Sequence, residues 1–449
     1  VSSTRDWGDL LRMLGTVDLV HGVYYFLMHL WFGLVGYTPF TLRLPSAVFA
    51  ALAVLVTVGF VGSVASRRVA ILTGIVLIAL PRFTLAGVEG RSYSLTILLG
   101  VLMTVAFARA LTPPARHRWP QYWDLYALLS VIGMLVFLQL ALLVVAHAVT
   151  LLWLRVRGRL APGILTAFVW RLVVVIVVML PFVIAAARQA SQLNWISAPG
   201  EGTFGAVLVT QFFPANIPLA VLGWALAIAG AVLLLRRPDA AATAALAITT
   251  IVVPLAVLLL FSLTVLPVFT PRYLTFATLA MALLVAVAID AIPRRMVGYA
   301  ALTLVVALSA PSWLDQRQPI GKGSDAAAVA SYVENVEARH PGDAVGIVWG
   351  DLARFPLGTA RVVEYGYPAP FAAIADLTLA QTAAEAGTLW ETTRPLTAAD
   401  LDGVDAVWVV ASSLDSRFGD LRLLSAEGFR PAERQSFYQL EAMRLVREN

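Results

Sequence analysis

About ten stretches of this chain are long and apolar enough to cross a lipid bilayer, and that feature removes most folds from consideration. Hydrocarbon offers no partner to a free peptide N–H or C=O, so a spanning segment must close its own hydrogen bonds as a helix of about 20 mostly apolar residues. Such segments fall at 45–64, 69–86, 92–111, 122–138, 140–155, 163–187, 217–235, 241–263, 274–292 and 297–312. Composition agrees: 59% of the residues are hydrophobic and 13% charged, against roughly 25% charged in soluble domains. The expectation is a mainly α, polytopic membrane helical bundle over 1–312, opening with an extracytoplasmic or interfacial segment, 1–44. A small soluble α/β domain follows over 313–449.

Charge orients the bundle. Residues 1–311 carry 20 Arg and 8 Asp or Glu, whereas 312–449 carry 12 Lys or Arg and 19 Asp or Glu, so the net +5 is +12 and −7 combined. Arginines follow alternate spans: Arg67 and Arg68, then Arg109, Arg116 and Arg118, then Arg155, Arg157 and Arg159, then Arg236 and Arg237, then Arg294 and Arg295. All five clusters share a face only if 122–155 crosses twice, and the positive-inside rule makes that face the cytoplasm. The N-terminus, the loops near 87–91, 188–216 and 264–273, and everything after 312 are then outside. Gly22–Val35 reads as a helix lying at the outer interface, with Tyr24, Tyr25, Trp31 and Tyr37 at headgroup depth. The basic excess sits beside lipid headgroups, and no nucleic-acid signature accompanies it. Arg outnumbers Lys 31 to 1, a mark of GC-rich coding.

The chain has no cysteine, which excludes disulfides and thiolate metal sites. Its opening, VSSTRDWGDL, lacks the charged and apolar regions of a signal peptide. In the C-terminal domain AVGIVWG (344–350) and DAVWVVASS (405–413) read as buried strands. Helical patterns run near 324–339, 376–388 and 417–427, and QSFYQLEAMRLVR reads as a terminal hairpin. That domain has no Gly-rich phosphate loop and no clustered metal ligands, which suits recognition or support.

Carboxylates beside a membrane are costly, so the eight before residue 312 each need a reason. Asp124, Asp239 and Asp290 sit at cytoplasmic helix ends near arginines, and Asp6, Asp9 and Glu201 in polar outer segments. Asp18 heads DLVHGVYYFLMHLW, where it serves either as an N-cap or, with His21, Tyr24 and Tyr25 following, as a functional carboxylate. Glu89 and Arg91 occupy the outer turn VEGRSYSL, either as a simple ion pair or as site residues. Arg272, in VFTPRYLTF, either snorkels to headgroups or holds a phosphate, whose geometry a guanidinium matches. Arg171 and His147 lie within spans and suit polar pairs inside the bundle better than a catalytic site.

Several of these motifs occur together and in order elsewhere. DLVHGVYYFLMHLWFGLVG with LRLPSA (42–47), the spacing Pro81–Glu89–Arg91–Tyr93–Leu95, NWIS (194–197) with QFF (211–213), and PVFTPRYL (267–274) resemble the GT-C membrane glycosyltransferases. Within that superfamily the resemblance is to the polyprenyl-phosphate-mannose-dependent mannosyltransferase and aminoarabinose transferase branch, of actinobacterial type. It implies inverting transfer of a sugar, mannose ahead of arabinose, from a polyprenyl-phosphate donor to a cell-envelope glycan, glycolipid or protein on the outer face of the plasma (inner) membrane. Asp18 or Glu89 would be the catalytic carboxylate. His21, Arg91, Arg272 and Tyr273 would bind the donor phosphate, and Tyr24, Tyr25, Tyr93 and Trp195 would line the cavity. No cofactor is implied beyond an optional divalent cation.

Members of that branch carry a further span and an Asp-Glu pair before this point, and the sequence begins at Val1, beyond both. Gly22-Val23 stands where the family has Pro-Pro, and LVFLQ (135–139) where it has an aromatic/His element. Two other classes are weighed against the enzyme: a non-catalytic membrane protein binding lipid-linked glycans, and a transporter or flippase. A transporter calls for inverted repeats and paired mid-membrane charges, and the sequence shows no repeat.

Overall fold

The computed structural model describes residues 2–111, 119–323, 325–352, 358–414 and 419–448. Arg116, Arg118 and the start of the helical pattern at 417–427 lie outside the described residues. Two compact units result. One comprises Asp18–Met28 and Leu42–Asp315, the other Val1–Val17, His29–Thr41 and Gln316–Asn449.

Up to Asp315 the helices are α1 (Trp7–Thr16), α2 (Gly22–Val35), α3 (Pro39–Val64), α4 (Arg67–Ala79), α5 (Pro81–Val88), α6 (Tyr93–Leu111) and α7 (Trp119–Val136). They continue as α8 (Ala141–Val156), α9 (Ile164–Arg188), the single turn α10 (Gly202–Gly205), α11 (Ile217–Leu235), α12 (Ala241–Thr264), α13 (Thr278–Asp290) and α14 (Arg295–Asp315). Among the described residues, 8 helices are long and apolar enough to span a membrane. The bent pair α4 and α5 makes a further candidate, and the shorter apolar helix Gln121–Val136 meets the remaining expected span. The protein is an integral membrane protein with a mainly helical bundle.

Burial ranks the helices. The span Pro271–Asp290 is 94% buried, against 17% for α9 and 22% for α3 and α14. Helix α13 is therefore the axis of the bundle, while α3, α9 and α14 keep their apolar surface for lipid. Lipid tails are as apolar as leucine, so close backbone approach between small residues, rather than a hydrophobic drive, holds such helices together. The α13 sequence TLAMALLVAVAID suits that approach, and it packs on α4, α11 and α12. At Gly230 of α11 a Cβ would lie 1.9 Å from the Leu284 carbonyl oxygen, so only glycine fits.

Pro81 cannot donate a backbone hydrogen bond, and the chain bends by 64° between α4 and α5 there. Three polar pairs lie within the bundle. Arg171 Nε and Asp124 Oδ1 lie 3.0 Å apart, and Arg68 Nε and Asp290 Oδ1 3.3 Å apart. His147, fully buried, has Nδ1 3.0 Å from the Tyr126 hydroxyl and stacks on Phe107.

In the second unit, α15 (Ala326–Glu337), β1 (Val345–Trp349), α16 (Val362–Gly366), β2 (Ala375–Asp376), β3 (Leu379–Gln381), β4 (Thr392–Thr393), β5 (Ala406–Ala411), α17 (Gly419–Ala426), β6 (Phe429–Phe437) and β7 (Leu440–Arg447) form an α/β fold. The five-stranded sheet has order β2-β1-β5-β7-β6, with β1 parallel to β2 and β5, and β7 antiparallel to β5 and β6. The period of two in a strand is visible in β5: Trp408 and Val410 enter one core with α15, Val407 and Val409 the other with Leu424. The helical reading of 376–388 is wrong. Leu377 packs over Gly346, where a Cβ would lie 2.5 Å from Leu377 Cδ1, and this close approach lets residues 375–376 run along the edge of β1. Arg444, 1% exposed, ties α15 to the sheet by reaching Glu337 Oε1 at 2.9 Å and Asp343 Oδ2 at 2.6 Å. Near the N-terminus, Arg5 Nη2 donates to the Thr388 carbonyl at 2.6 Å.

Three outcomes follow. Gly230→Ala should destabilise the detergent-solubilised protein by about 1–3 kcal/mol through overpacking against backbone. Gly59→Ala, whose Cβ meets nothing within 4 Å, should leave the melting temperature unchanged. Arg444→Met should cost about 3–5 kcal/mol by stranding the carboxylates of Glu337 and Asp343, read as earlier proteolysis within 316–449.

Candidate active site

The site grows from the turn that precedes α2. Asp18 has φ 64°, in the left-handed region, and its side chain caps no helix. Two glutamines from the segment following α9 hold this turn: the N–H of Asp18 donates to Gln192 Oε1 at 3.0 Å and that of Leu19 to Gln189 Oε1 at 2.9 Å. The Asp18 carboxylate, released from capping, accepts the Tyr25 hydroxyl at Oδ2 and lies 3.9 Å from His21 Nε2 at Oδ1. Tyr25 thus stands one helical turn along α2 as a partner for Asp18. Tyr24 departs from the headgroup-depth expectation, being only 4% exposed, with its hydroxyl beside Ser46.

Around this carboxylate stand the other residues singled out by sequence. His21 lies within electrostatic reach of Asp18, Arg91 and Arg272. It keeps 29% of its side-chain surface open inside a recess walled by protein. Burial in that recess drives its pKa below the ordinary value; Asp18 opposes the shift, and Arg91 and Arg272 reinforce it, so the imidazole is neutral near pH 7. Glu89 forms no direct ion pair with Arg91 among the described residues, yet its charge reaches both Arg91 and Arg82. Tyr93 and Tyr273 share the site, Tyr273 within reach of Asp18, Tyr93 and Arg272. Arg272 lies 5.2 Å from the centroid of the Trp195 ring, a cation–π contact, and its buried Nε has no acceptor among the described residues.

Four participants were not among the residues singled out for this site. Phe137 lies at the hub of the aromatic wall: its ring stacks near His21 at 6.4 Å and meets Tyr93 edge-on at 5.8 Å and Tyr273 at 5.7 Å. The LVFLQ stretch at 135–139 was its only signal. Gln189 and Gln192 carry no motif. Arg82, 7% exposed, donates through Nε to the Gln211 carbonyl at 3.0 Å and through Nη2 to that of Thr210, while its N–H reaches Phe212 O at 3.1 Å. These carbonyls end the π turn Ala206–Thr210. Arg82 therefore works as a cap for a helix end rather than as a free cation.

The arrangement brings a carboxylate with an acceptor role, a neutral imidazole and two arginines without carboxylate partners among the described residues into one aromatic-walled recess. Among the described residues no three His, Asp or Glu side chains gather as a divalent cation would require. A second recess of about 440 Å³ adjoins Trp195 and Thr270. A more apolar cavity of about 330 Å³ lies elsewhere in the helical unit, reaching from Phe276 to Arg159 and Asp239, and contains none of the site residues.

No family model matches the chain, and no curated protein matches it by sequence. Solved structures share its fold. ArnT from Cupriavidus metallidurans in the apo state superposes over 96% of this chain and 88% of its own, with a TM-score of 0.55 at 13% identity. The same protein bound to undecaprenyl phosphate covers 96% and 89%, with a TM-score of 0.53 at 14% identity. The arabinofuranosyltransferase AftD from Mycobacteria matches 98% of this chain but 36% of its own, with a TM-score of 0.50 at 15% identity. At these identities the likeness establishes the fold alone, a membrane helical bundle with a small C-terminal α/β unit.

The lowered pKa of His21 has a consequence for stability. A base that binds protons less tightly when folded contributes stability above its unfolded pKa of about 6.5 and loses it as pH falls through the window below. Acidification from about pH 7.5 to 5.5 should lower the melting temperature of the solubilised protein, and His21→Gln should shrink that drop; equal drops would overturn the assignment.

Proposed function

We propose that this recess is the active site of a membrane glycosyltransferase that takes a sugar from a polyprenyl-phosphate donor. The observation that carries the reading is the placement of Asp18, fastened by Tyr25 and flanked by neutral His21, in one site with Arg91 and Arg272, neither of which has a carboxylate at ion-pair distance among the described residues. A polyprenyl-phosphate sugar needs both halves of that arrangement. The acceptor hydroxyl gives its proton to the Asp18 carboxylate as its oxygen attacks the anomeric carbon. The bond from that carbon to the phosphate oxygen breaks, and the electron pair leaves on the lipid phosphate, where Arg91 and Arg272 meet the growing charge. A single displacement of this kind inverts the anomeric carbon.

Asp18 is preferred to Glu89 as base because its oxygens face His21 and Tyr25. The charge of Glu89 falls on Arg82 and Arg91 instead, which suits holding the cations in place. Tyr24, Tyr93, Tyr273 and Phe137 wall the sugar from water, and His21 donates to the donor phosphate as a neutral group. The sugar proposed is mannose or arabinose. In this reading the recess and residues 316–449 face the extracytoplasmic side of the plasma membrane, with the five arginine clusters in the cytoplasm. The fold of ArnT with undecaprenyl phosphate bound supports a lipid-phosphate donor.

The test is transfer from radiolabelled polyprenyl-phosphate mannose and polyprenyl-phosphate arabinose by the purified protein. Asp18→Asn should lower kcat by about 10²–10⁴ with donor affinity kept, as loss of a general base does. Arg272→Ala should weaken undecaprenyl phosphate binding as well as turnover. Wild-type rates in both variants would reject the assignment.

A further inference from the structure

The recess beside Trp195 stands outside the charged site and has a different chemistry. It measures about 440 Å³, within the roughly 300–1,000 Å³ of small-molecule sites. Its walls come from the loop 195–206 and from 269–271, and Trp195, Ser197, Gly202, Thr203, Phe269 and Thr270 are among them. None of the residues lining it is charged. We propose that this recess is the acceptor subsite and that the acceptor it takes is an uncharged glycan end, an inference resting on the glycosyl-transfer reading above.

Position comes first. Thr270 and Pro271 run directly into Arg272, and the Arg272 guanidinium lies over the Trp195 ring. The recess therefore adjoins Arg272 through Trp195, and a hydroxyl carried in along the indole arrives beside the donor phosphate site. Trp195 is 48% exposed, leaving much of its surface free for a sugar. An aromatic face suits the C–H side of a pyranose or furanose, and neutral hydroxyls suit its O–H groups. Thr203 already accepts the Gly200 N–H at 2.8 Å, which leaves its own O–H to donate.

Chemistry then selects among acceptors. A phosphorylated glycolipid would bring charge into a recess that has none to offer, and desolvating an unpaired anion is costly. A polyprenyl tail makes no hydrogen bonds and would leave the O–H groups of Ser197 and Thr203 in contact with hydrocarbon. A neutral glycan satisfies both conditions. The lining ends at Ala206, the first residue of a π turn, 206–210, a departure from α geometry that is frequent at functional sites.

Gly202 and Gly205 supply the test. A Cβ at either meets nothing within 4 Å, so both tolerate a large side chain, but only Gly202 lines the recess. The full-length protein in detergent is titrated with methyl mannobioside, methyl arabinobioside and a bis-phosphorylated glucosamine disaccharide by saturation-transfer NMR. Undecaprenyl phosphate binding and sugar transfer are measured in parallel. The neutral disaccharides should bind and the phosphorylated one should not. Gly202→Trp should weaken that binding and raise the acceptor KM at least tenfold while leaving undecaprenyl phosphate binding intact, and Gly205→Trp should change neither. Should Gly202→Trp fail to fold, Thr203→Tyr carries the same expectation.

Preference for the phosphorylated disaccharide, no binding of either kind, or unchanged affinity in the blocked variant overturns the subsite. If transfer persists with an unchanged acceptor KM in Gly202→Trp, the subsite falls and the transferase reading stands. If neutral sugars bind in a Gly202-sensitive way but undecaprenyl phosphate does not bind, the transferase reading falls and the recess remains a glycan site.

Discussion

The hydroxyl of Tyr25 on the carboxylate of Asp18 is the contact on which the arrangement of this site depends. It exists because Asp18 is not used as a helix cap. A non-glycine residue in the left-handed region costs about 1–2 kcal/mol, least for Asp and Asn, and the side-chain carbonyls of Gln189 and Gln192 offset that cost by taking the two N–H groups of the turn. The backbone is thus anchored from 170 residues away, and the carboxylate is free to face His21 and the arginines. Had Asp18 capped α2, its charge would have been spent on backbone N–H groups, and the two arginines would face a recess with no base in it.

The spans were legible because a bilayer imposes one crude requirement, a run of apolar residues about 20 long, and α3, α6, α9, α11 and α12 satisfy it without interruption. Strands β1 and β5 were legible for a similar reason, being short apolar runs buried on both faces. The charged and aromatic site residues stood out because a charge beside a membrane needs a reason. The partners of those residues did not. Gln189, Gln192 and Phe137 are ordinary residues whose importance lies in what they touch, and contact across 170 positions leaves no local pattern. Residues 376–388 misled for a physical reason too. Their alanines and two leucines suit a helix, but the missing side chain of Gly346 leaves a slot that Leu377 fills, and strand pairing overrides local propensity.

Residues 316–449 add a stable unit whose interior holds two buried arginines. Arg361 is 2% exposed and has Glu391 at 2.9 Å with Asp376 beside it. Arg444 has Glu337 and Asp343, and Glu337 also accepts the Trp408 indole N–H at 2.8 Å. In both cases the guanidinium is matched by carboxylates, so these cations serve the fold. Charge neutralised in this way is silent toward ligands, and the same criterion separates the arginines of the helical unit.

Three arginines surround the site, and their partners divide them. The Arg82 guanidinium is occupied by the carbonyls of Thr210 and Gln211 while its backbone N–H donates to that of Phe212, so its charge caps the π turn and fixes the loop that leads into α11. Arg91 and Arg272 have no carboxylate within ion-pair distance among the described residues, and Arg272 stacks on an indole that cannot neutralise it. Leaving two cations without a contacting carboxylate costs free energy unless something anionic arrives to match them. An aromatic partner holds such a cation in position while preserving its charge for that arrival. The carboxylate that might have paired with them, Asp18, is instead tethered by Tyr25 and backed by an imidazole kept neutral by burial. A site built to hold its own charges together would have let Asp18 close on Arg272. This one keeps acid and base apart, and the space between them is where a reaction that moves a proton to one side and negative charge to the other would take place.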